Sequence, residues 1–151
     1  NYSEYFSTII LRLFFVYGPG QKETMFIQKL ISTINSGNSV YLSGHDGILI
    51  NPIYVDDVVN SILKLMYCEK NMTLNIAGSE LFSLRELCNI IGKVIGKKPI
   101  FVRNENSEPK DLSGDITSLC EEIECPRILF ENGIKKIVEY NGSFVSADDT
   151  I

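Results

Sequence analysis

Apolar residues along this chain follow two rhythms, short near-continuous runs and helical spacings, and the two alternate. The run Ile9-Ile10-Leu11-Arg12-Leu13-Phe14-Phe15-Val16-Tyr17 is apolar except for Arg12 and ends at Gly18-Pro19-Gly20, which predicts a strand buried on both faces. Phe26, Ile27, Leu30, Ile31 and Ile34 then recur at helical spacing, with Thr24 as the expected cap and Gly37 as the expected left-handed stop. Val40-Tyr41-Leu42 predicts a short strand and Gly44-His45-Asp46-Gly47 a turn. Residues 48–55 read as extended, and Pro52 confines them to an edge or irregular strand.

A second helix is expected to open at Asp56 or Asp57, whose acids suit its positive end, with Val58, Val59, Ile62, Leu63, Leu65 and Met66 as one stripe. Leu74-Asn75-Ile76-Ala77 before Gly78 predicts a strand and turn. Ser83-Leu84-Arg85-Glu86 is a capping box, and Leu87, Cys88, Ile91, Val94 and Ile95 continue its helix to Gly96. Residues 100–102 read as a strand and 103–114 as a long polar loop. Asp115 is placed to cap a short helix through 119–123 that Pro126 stops, and 132–140 form a last helix. The remainder, 141–151, is expected to fray. Strands and helices alternating in this way predict an α/β fold of a few mostly parallel strands with a smaller mixed lobe.

Composition narrows the partners. A chain of 151 residues with 44% hydrophobic and 22% charged residues is expected to fold as one domain. A net charge of −5 argues against nucleic acid, which needs a clustered basic surface. A single anionic small molecule needs only a few local cations, and Arg12, Lys22, Lys29, Arg103 and Lys110 are available. The longest apolar run is too short to span a bilayer, so no membrane partner is expected. Four cysteines without a C-x-x-C pair, beside the one histidine His45, predict reduced and mostly buried thiols and no metal site. The start at Asn1, with neither a basic segment nor a cleavage site after it, reads as a piece of something longer.

Four segments, in order, carry a resemblance: Leu11-Arg12-Leu13-Phe14-Phe15-Val16-Tyr17-Gly18-Pro19-Gly20-Gln21, then Ile53-Tyr54-Val55-Asp56-Asp57-Val58-Val59, then Leu74-Asn75-Ile76-Ala77-Gly78, then the Ser83 capping box with its helix. Together they resemble the second half of extended short-chain dehydrogenases/reductases, the NAD-dependent sugar-nucleotide epimerase/dehydratase family. The resemblance implies that residues 1–140 are the carboxy-terminal, substrate-binding part of a Rossmann-like fold, with 141–151 as a tail. It implies that Leu13, Phe14, Tyr17 and Pro19 pass the nicotinamide end of NAD or NADP, a cofactor held mainly by the missing half. A nucleotide-diphosphate sugar would meet Phe15, Gln21, Lys22, Met25, Lys29, Leu42, Arg103 and Lys110. A rigid proline between two glycines lets backbone run close to a flat ring. A cytoplasmic protein follows from the same resemblance, and the exposed edge of its first strand is expected to favour a homodimer or a swap.

The chemistry of that family rests on a Tyr-x-x-x-Lys pair and a glycine-rich turn, and neither occurs in this sequence. Residues 1–7 resemble the tail of the helix that would carry the lysine, so catalysis by this chain alone is not expected. Asp56 and Asp57 read as helix caps rather than as an acid–base pair. Two positions depart from the family pattern: Phe15 stands where relatives often carry asparagine, and Ile50 where they often carry an arginine that grips the diphosphate. Either Lys22, Arg103 or Lys110 substitutes, or the ligand lacks a diphosphate, or the site has decayed. An epimerase or dehydratase, such as a UDP-glucose 4-epimerase-like enzyme, is the first expectation. A reductase of the same superfamily is the second, and a non-catalytic binding or assembly module the third.

Overall fold

The computed structural model describes residues 7–105, 107–108 and 110–148, and the side chains among them up to Gly142. The expected helix tail at 1–7 therefore lies outside the described residues, save Ser7. In chain order the elements are β1 (Ile9–Leu13), β2 (Val16–Tyr17), α1 (Phe26–Asn35), β3 (Ser39–Ser43), β4 (Leu49–Ile50), β5 (Ile53–Tyr54) and α2 (Val55–Leu65). There follow β6 (Met72–Ile76), β7 (Phe82–Ser83), α3 (Leu84–Ile95), β8 (Ile100–Asn104), α4 (Thr117–Glu122) and α5 (Phe130–Asp148). The fold is mixed α/β with parallel pairing dominant: β1 with β6, β2 with β5 and β3 with β8 run parallel, and among the described residues only β4 with β7 is antiparallel.

The apolar run 9–17 is not one strand. Phe15 has φ 43°, the left-handed region that non-glycine residues enter at a cost. The kink there moves the chain from one partner to another: β1 lies along β6 in the register Ile9↔Met72 to Leu13↔Ile76, whereas β2 lies along β5 with Tyr17↔Tyr54. A hydrogen bond from Phe14 N to Ile76 O (3.0 Å) closes the first pairing, and one from Ile53 N to Phe15 O (3.3 Å) opens the second.

Among the described residues two apolar cores result. The larger holds Tyr17, Ile27, Leu30, Ile34, Leu42, Ile50, Leu87, Ile91, Phe130, Ile134 and Ile137, so α1, α3 and α5 meet over β2, β3 and β4. The smaller, of Ile53, Val58, Leu65, Leu74, Ile76 and Leu119, joins α2 and α4 to β6, with Ile9 and Leu11 of β1 packed against it. The Ser83 capping box forms as read: Glu86 N donates to Ser83 Oγ (3.2 Å), Ser83 N donates to Glu86 Oε2 (2.8 Å), and Gly96 closes α3 at φ 68°.

Several local expectations change. Thr24 does not cap α1, whose N-cap is Met25 with no side-chain bond. The apolar stripe expected on α2 divides: Asp57, Val58, Ser61 and Leu65 face inward, and Val59, Ile62, Leu63 and Met66 face out, with Tyr67 just beyond. Asp57 is drawn inward because its carboxylate is a tie rather than a cap, accepting from Arg127 N (3.1 Å) and Ile128 N (2.8 Å). The expected set of reduced thiols is corrected at Cys120 and Cys125, which form a disulfide because the chain doubles back after α4 and brings their Cα atoms to 4.3 Å. Cys68 and Cys88 are free, as read. The frayed tail expected from Asn141 gives way to helix as far as Asp148, since a helix anchored by Ile134 and Ile137 propagates past weak formers.

Candidate functional site

The turn leaving β2 is held from inside the molecule. Tyr17 is fully buried, with its ring 5.5 Å from Tyr54 and 5.2 Å from Phe130, and its hydroxyl donates to Phe130 O at 3.4 Å. Burial, with Glu80 second, raises the phenol well above its ordinary pKa. The sequence-based expectation that Tyr17 meets a cofactor is thereby corrected, because no part of it reaches solvent and it acts as the anchor beneath the turn. Gly18 is buried too, and a Cβ there would stand 2.6 Å from Val55 Cγ1, so that glycine serves internal packing. Gln28 Nε2 donates to Gly18 O (3.3 Å) and Gln21 Nε2 to Val16 O (2.9 Å), fixing the turn against α1.

What the turn presents outward is the end of β1 and the rim of α1. Leu13 is 53% exposed, Phe14 and Pro19 are half-buried, and Gly20, at φ 72°, lies at the surface. Phe14 leans on Gly114, where a Cβ would meet its ring at 2.9 Å, and Phe15 rests on Phe26 with ring centroids 5.2 Å apart. Gln21 is half-buried, and its Oε1 is buried without a partner among the described residues. Lys22, Met25 and Lys29 are exposed along the same rim. Met25 N donates to Lys22 O (2.9 Å), so the first turn of α1 is approached by a tight backbone bend with no acid in it.

Beyond that rim, α1 and β3 enclose a cleft of about 260 Å³ walled by Phe26, Leu30, Thr33, Val40, Tyr41 and Leu84, with Lys29 at its mouth. Leu42, expected beside a nucleotide, is fully buried in the larger core and is corrected to a core residue, because it alternates with the exposed Tyr41 on β3. The geometry is apolar walls with a cation at the entrance.

Arg103 and Lys110 do not join this group. Arg103 lies on β8 opposite Leu42 and sends Nη2 to within 3.3 Å of His45 Nε2. His45 Nδ1 stands 2.7 Å from Asp46 Oδ1, and Arg85 Nε donates to the same oxygen at 2.8 Å while its guanidinium lies 4.5 Å from the Phe101 ring centroid. The hydrogen bond from His45, and then that from Arg85, hold the Asp46 carboxyl below its usual range. Lys110 is exposed beside Asp111, whose Oδ1 accepts from Leu49 N at 3.0 Å. His45, Asp46, Arg85 and Asp111 line a separate cleft of about 680 Å³ that includes Ser83 and Glu86.

Sequence reasoning missed the residues that hold the turn in place. Asn51 is buried and bridges Gly78 and Gly114, and Glu80 Oε2 accepts from Phe130 N (2.7 Å) to fix the start of α5. Tyr140 of α5 brings its hydroxyl to 3.7 Å from where a Cβ of Gly20 would be. The asparagine before Pro52 in an extended piece was the available signal, since a buried amide must find partners. Ile50 is fully buried in the larger core.

Three comparisons bear on this arrangement. The sequence profile of the NAD dependent epimerase/dehydratase family matches residues 1–77. A dTDP-4-dehydro-6-deoxy-D-allose reductase from Streptomyces sp is 28% identical over 98 residues, which cover 62% of this chain and 30% of the relative. Among solved structures, the UDP-N-acetylglucosamine 4-epimerase of Methanobrevibacter ruminantium M1 in complex with UDP-N-acetylmuramic acid superposes with a TM-score of 0.78 at 24% identity, over 95% of this chain and 49% of that one. The UDP-glucuronic acid 4-epimerase of Bacillus cereus in complex with NAD gives 0.75 at 24% identity, over 94% and 46%. At that identity the likeness establishes the fold. The chain spans about a third of the curated relative and just under half of the solved structures.

Proposed function

Because this chain belongs to the NAD dependent epimerase/dehydratase family, we propose that it is the sugar-nucleotide side of an enzyme of that family, working with a dinucleotide-binding half that its 151 residues do not contain. The observation that carries this reading is the profile match over residues 1–77, which takes in the strand, the glycine–proline turn, α1, β3 and α2. The chain itself offers Leu13, Phe14 and Pro19 as an apolar flank for a flat ring. With Gly18 packed against Val55 and no glycine-rich turn in this sequence, the pyrophosphate of the cofactor would be held by the other half. NAD or NADP, when bound by the other half, would accept and return the hydride of a sugar hydroxyl. This chain's residues would bind and orient the sugar nucleotide and keep water from the ring.

Gln21, Lys22, Met25 and Lys29 line the proposed path of the phosphates, with the base entering the cleft of Phe26, Leu30, Val40 and Tyr41. Phe15 acts there through its support of Phe26. Arg103 and Lys110, grouped with His45 and Asp111, would contribute only to a long or branched substrate. The outward apolar stripe of α2 and the second edge of β1, which pairs only with β6 among the described residues, suit the seam with the missing half. On this reading residues 1–140 act as one substrate-binding unit and a homodimer is secondary. No helix is long and apolar enough to cross a membrane among the described residues; a cytoplasmic setting is part of the proposal.

A second reading, a reductase of a keto-sugar, is favoured by two observations. The arginine expected to grip a diphosphate is replaced by the fully buried Ile50, and the curated relative above is a reductase by name. Hydrogen exchange tests the shared part of both. With the dinucleotide-binding half restored, a nucleotide sugar should protect amides in 19–30 and 39–43. Protection confined to the His45 and Arg85 cleft would place the ligand elsewhere and refute the reading.

A further inference from the structure

The disulfide between Cys120 and Cys125 spans five positions and links the last turn of α4 to the segment that crosses α2. Cys125 is exposed and Cys120 half-buried, so the pair is open to a reagent from solution. The segment it fixes is held by charge as well. Glu124 pairs with Lys64 of α2 and with Arg127, and the buried Asp57 carboxylate accepts from Arg127 N and Ile128 N. Ile123 to Arg127 form one wall of a cleft of about 230 Å³ whose other wall is Asp57, Asn60, Ser61 and Lys64. Pro126 is buried next to Cys125, so what the cysteine does is passed directly to Arg127 and Ile128.

We propose that Cys120 and Cys125 are a thiol–disulfide exchange site, reacting with low-molecular-weight thiols of the glutathione class, and that its state sets how tightly residues 123–128 close on α2. A thiolate attacks the accessible Cys125 sulfur, forms a mixed disulfide there and releases Cys120 as thiolate, which takes a proton from water. A second thiol attacks the external sulfur of that mixed disulfide. Cys125 leaves as thiolate, and the two small thiols depart joined as their own disulfide, having given two electrons to the protein pair. Opening the short ring frees the end of α4, and the hydrogen bonds to Asp57 then hold an unconstrained segment. The site is separate from the proposed sugar-nucleotide cleft, and its failure would leave that reading untouched.

The test uses the full chain in buffers of graded reduced and oxidised glutathione, quenched with an alkylating agent and digested to the peptide of residues 111–127. The expected result is a reversible passage from neither cysteine alkylated to both alkylated while the helical signal is retained. In the same series the exchange rate of the Arg127 and Ile128 amides should rise roughly tenfold or more on reduction. A Cys120→Ser/Cys125→Ser protein should show the fast rate in every buffer. Three results would each overturn the proposal: alkylation only after unfolding, both cysteines alkylated even in oxidised glutathione, or exchange at 127–128 that ignores the redox state.

Discussion

Asn51 and Gly114 exchange a reciprocal pair of hydrogen bonds: Asn51 Nδ2 donates to Gly114 O at 2.8 Å, and Gly114 N donates to Asn51 Oδ1 at 2.9 Å. The same amide reaches Gly78 O at 3.2 Å, and Gly78 N returns a bond to Asn51 O at 2.9 Å. One buried side chain thus pins the loop against which Phe14 packs. Asn51→Ala would strand two carbonyls and an amide away from water, and we expect a loss of about 2–4 kcal/mol. Asn51→Asp would set a carboxylate against both carbonyls and cost at least as much at neutral pH. Urea denaturation measures both, and a loss below about 0.5 kcal/mol for Asn51→Ala would show that the clamp is incidental.

Phe15 is a conflict between backbone and side chain. Its φ of 43° favours asparagine or glycine, while its ring supports Phe26. Phe15→Asn gives up the ring contact and gains a residue that tolerates the left-handed region, so the two effects should nearly cancel, within about 1.5 kcal/mol. Phe26→Ala has no such compensation and should cost about 3 kcal/mol or more. Equal losses in thermal melts of the two variants would mean that the kink carries no strain.

The limits of sequence reading have the same origin. The capping box at Ser83 and the spacing on α1 and α3 were legible because the signals are local and agree with burial. The strand from residue 9 to 17 was read as continuous because apolar character says nothing of a kink imposed by two different strand partners. Tyr17 and Leu42 were assigned to ligands by resemblance; their burial depends on α5 and α3, elements distant in sequence. The disulfide was illegible for another reason, since only the reversal of the chain after α4 brings Cys120 and Cys125 together.

The fit of Tyr17 against α5 leaves no room for growth. A Cβ at Gly133 would stand 2.2 Å from the Tyr17 hydroxyl and 2.8 Å from its ring. Gly133→Ala should destabilise by about 1–3 kcal/mol. Adding Tyr17→Phe removes the nearest atom and should recover part of that loss, giving a double-mutant cycle with a coupling of at least about 0.5 kcal/mol. Strict additivity would indicate that α5 shifts instead.

Burial pushes the Cys88 thiol up to about 12. In the unfolded chain the thiol ionises near its ordinary value, so from about pH 9 the unfolded state holds fewer protons than the folded one. Stability contributed by the neutral thiol is therefore complete below pH 9 and is lost progressively up to about pH 12. Tyr17, raised in the same direction, adds to this loss. Cys88→Ala should flatten the alkaline fall in stability measured by denaturation at stepped pH, and an unchanged slope would assign that fall to other groups.

Whether this chain supplies the sugar-nucleotide side of an NAD dependent enzyme is decided by one titration. The protein carrying its dinucleotide-binding half is titrated calorimetrically with UDP-, dTDP- and GDP-sugars in the presence of NAD. Saturable heat is expected for at least one of them, weakened about fivefold to tenfold by Lys29→Ala. No heat from any nucleotide sugar, with NAD binding intact, would contradict the assignment.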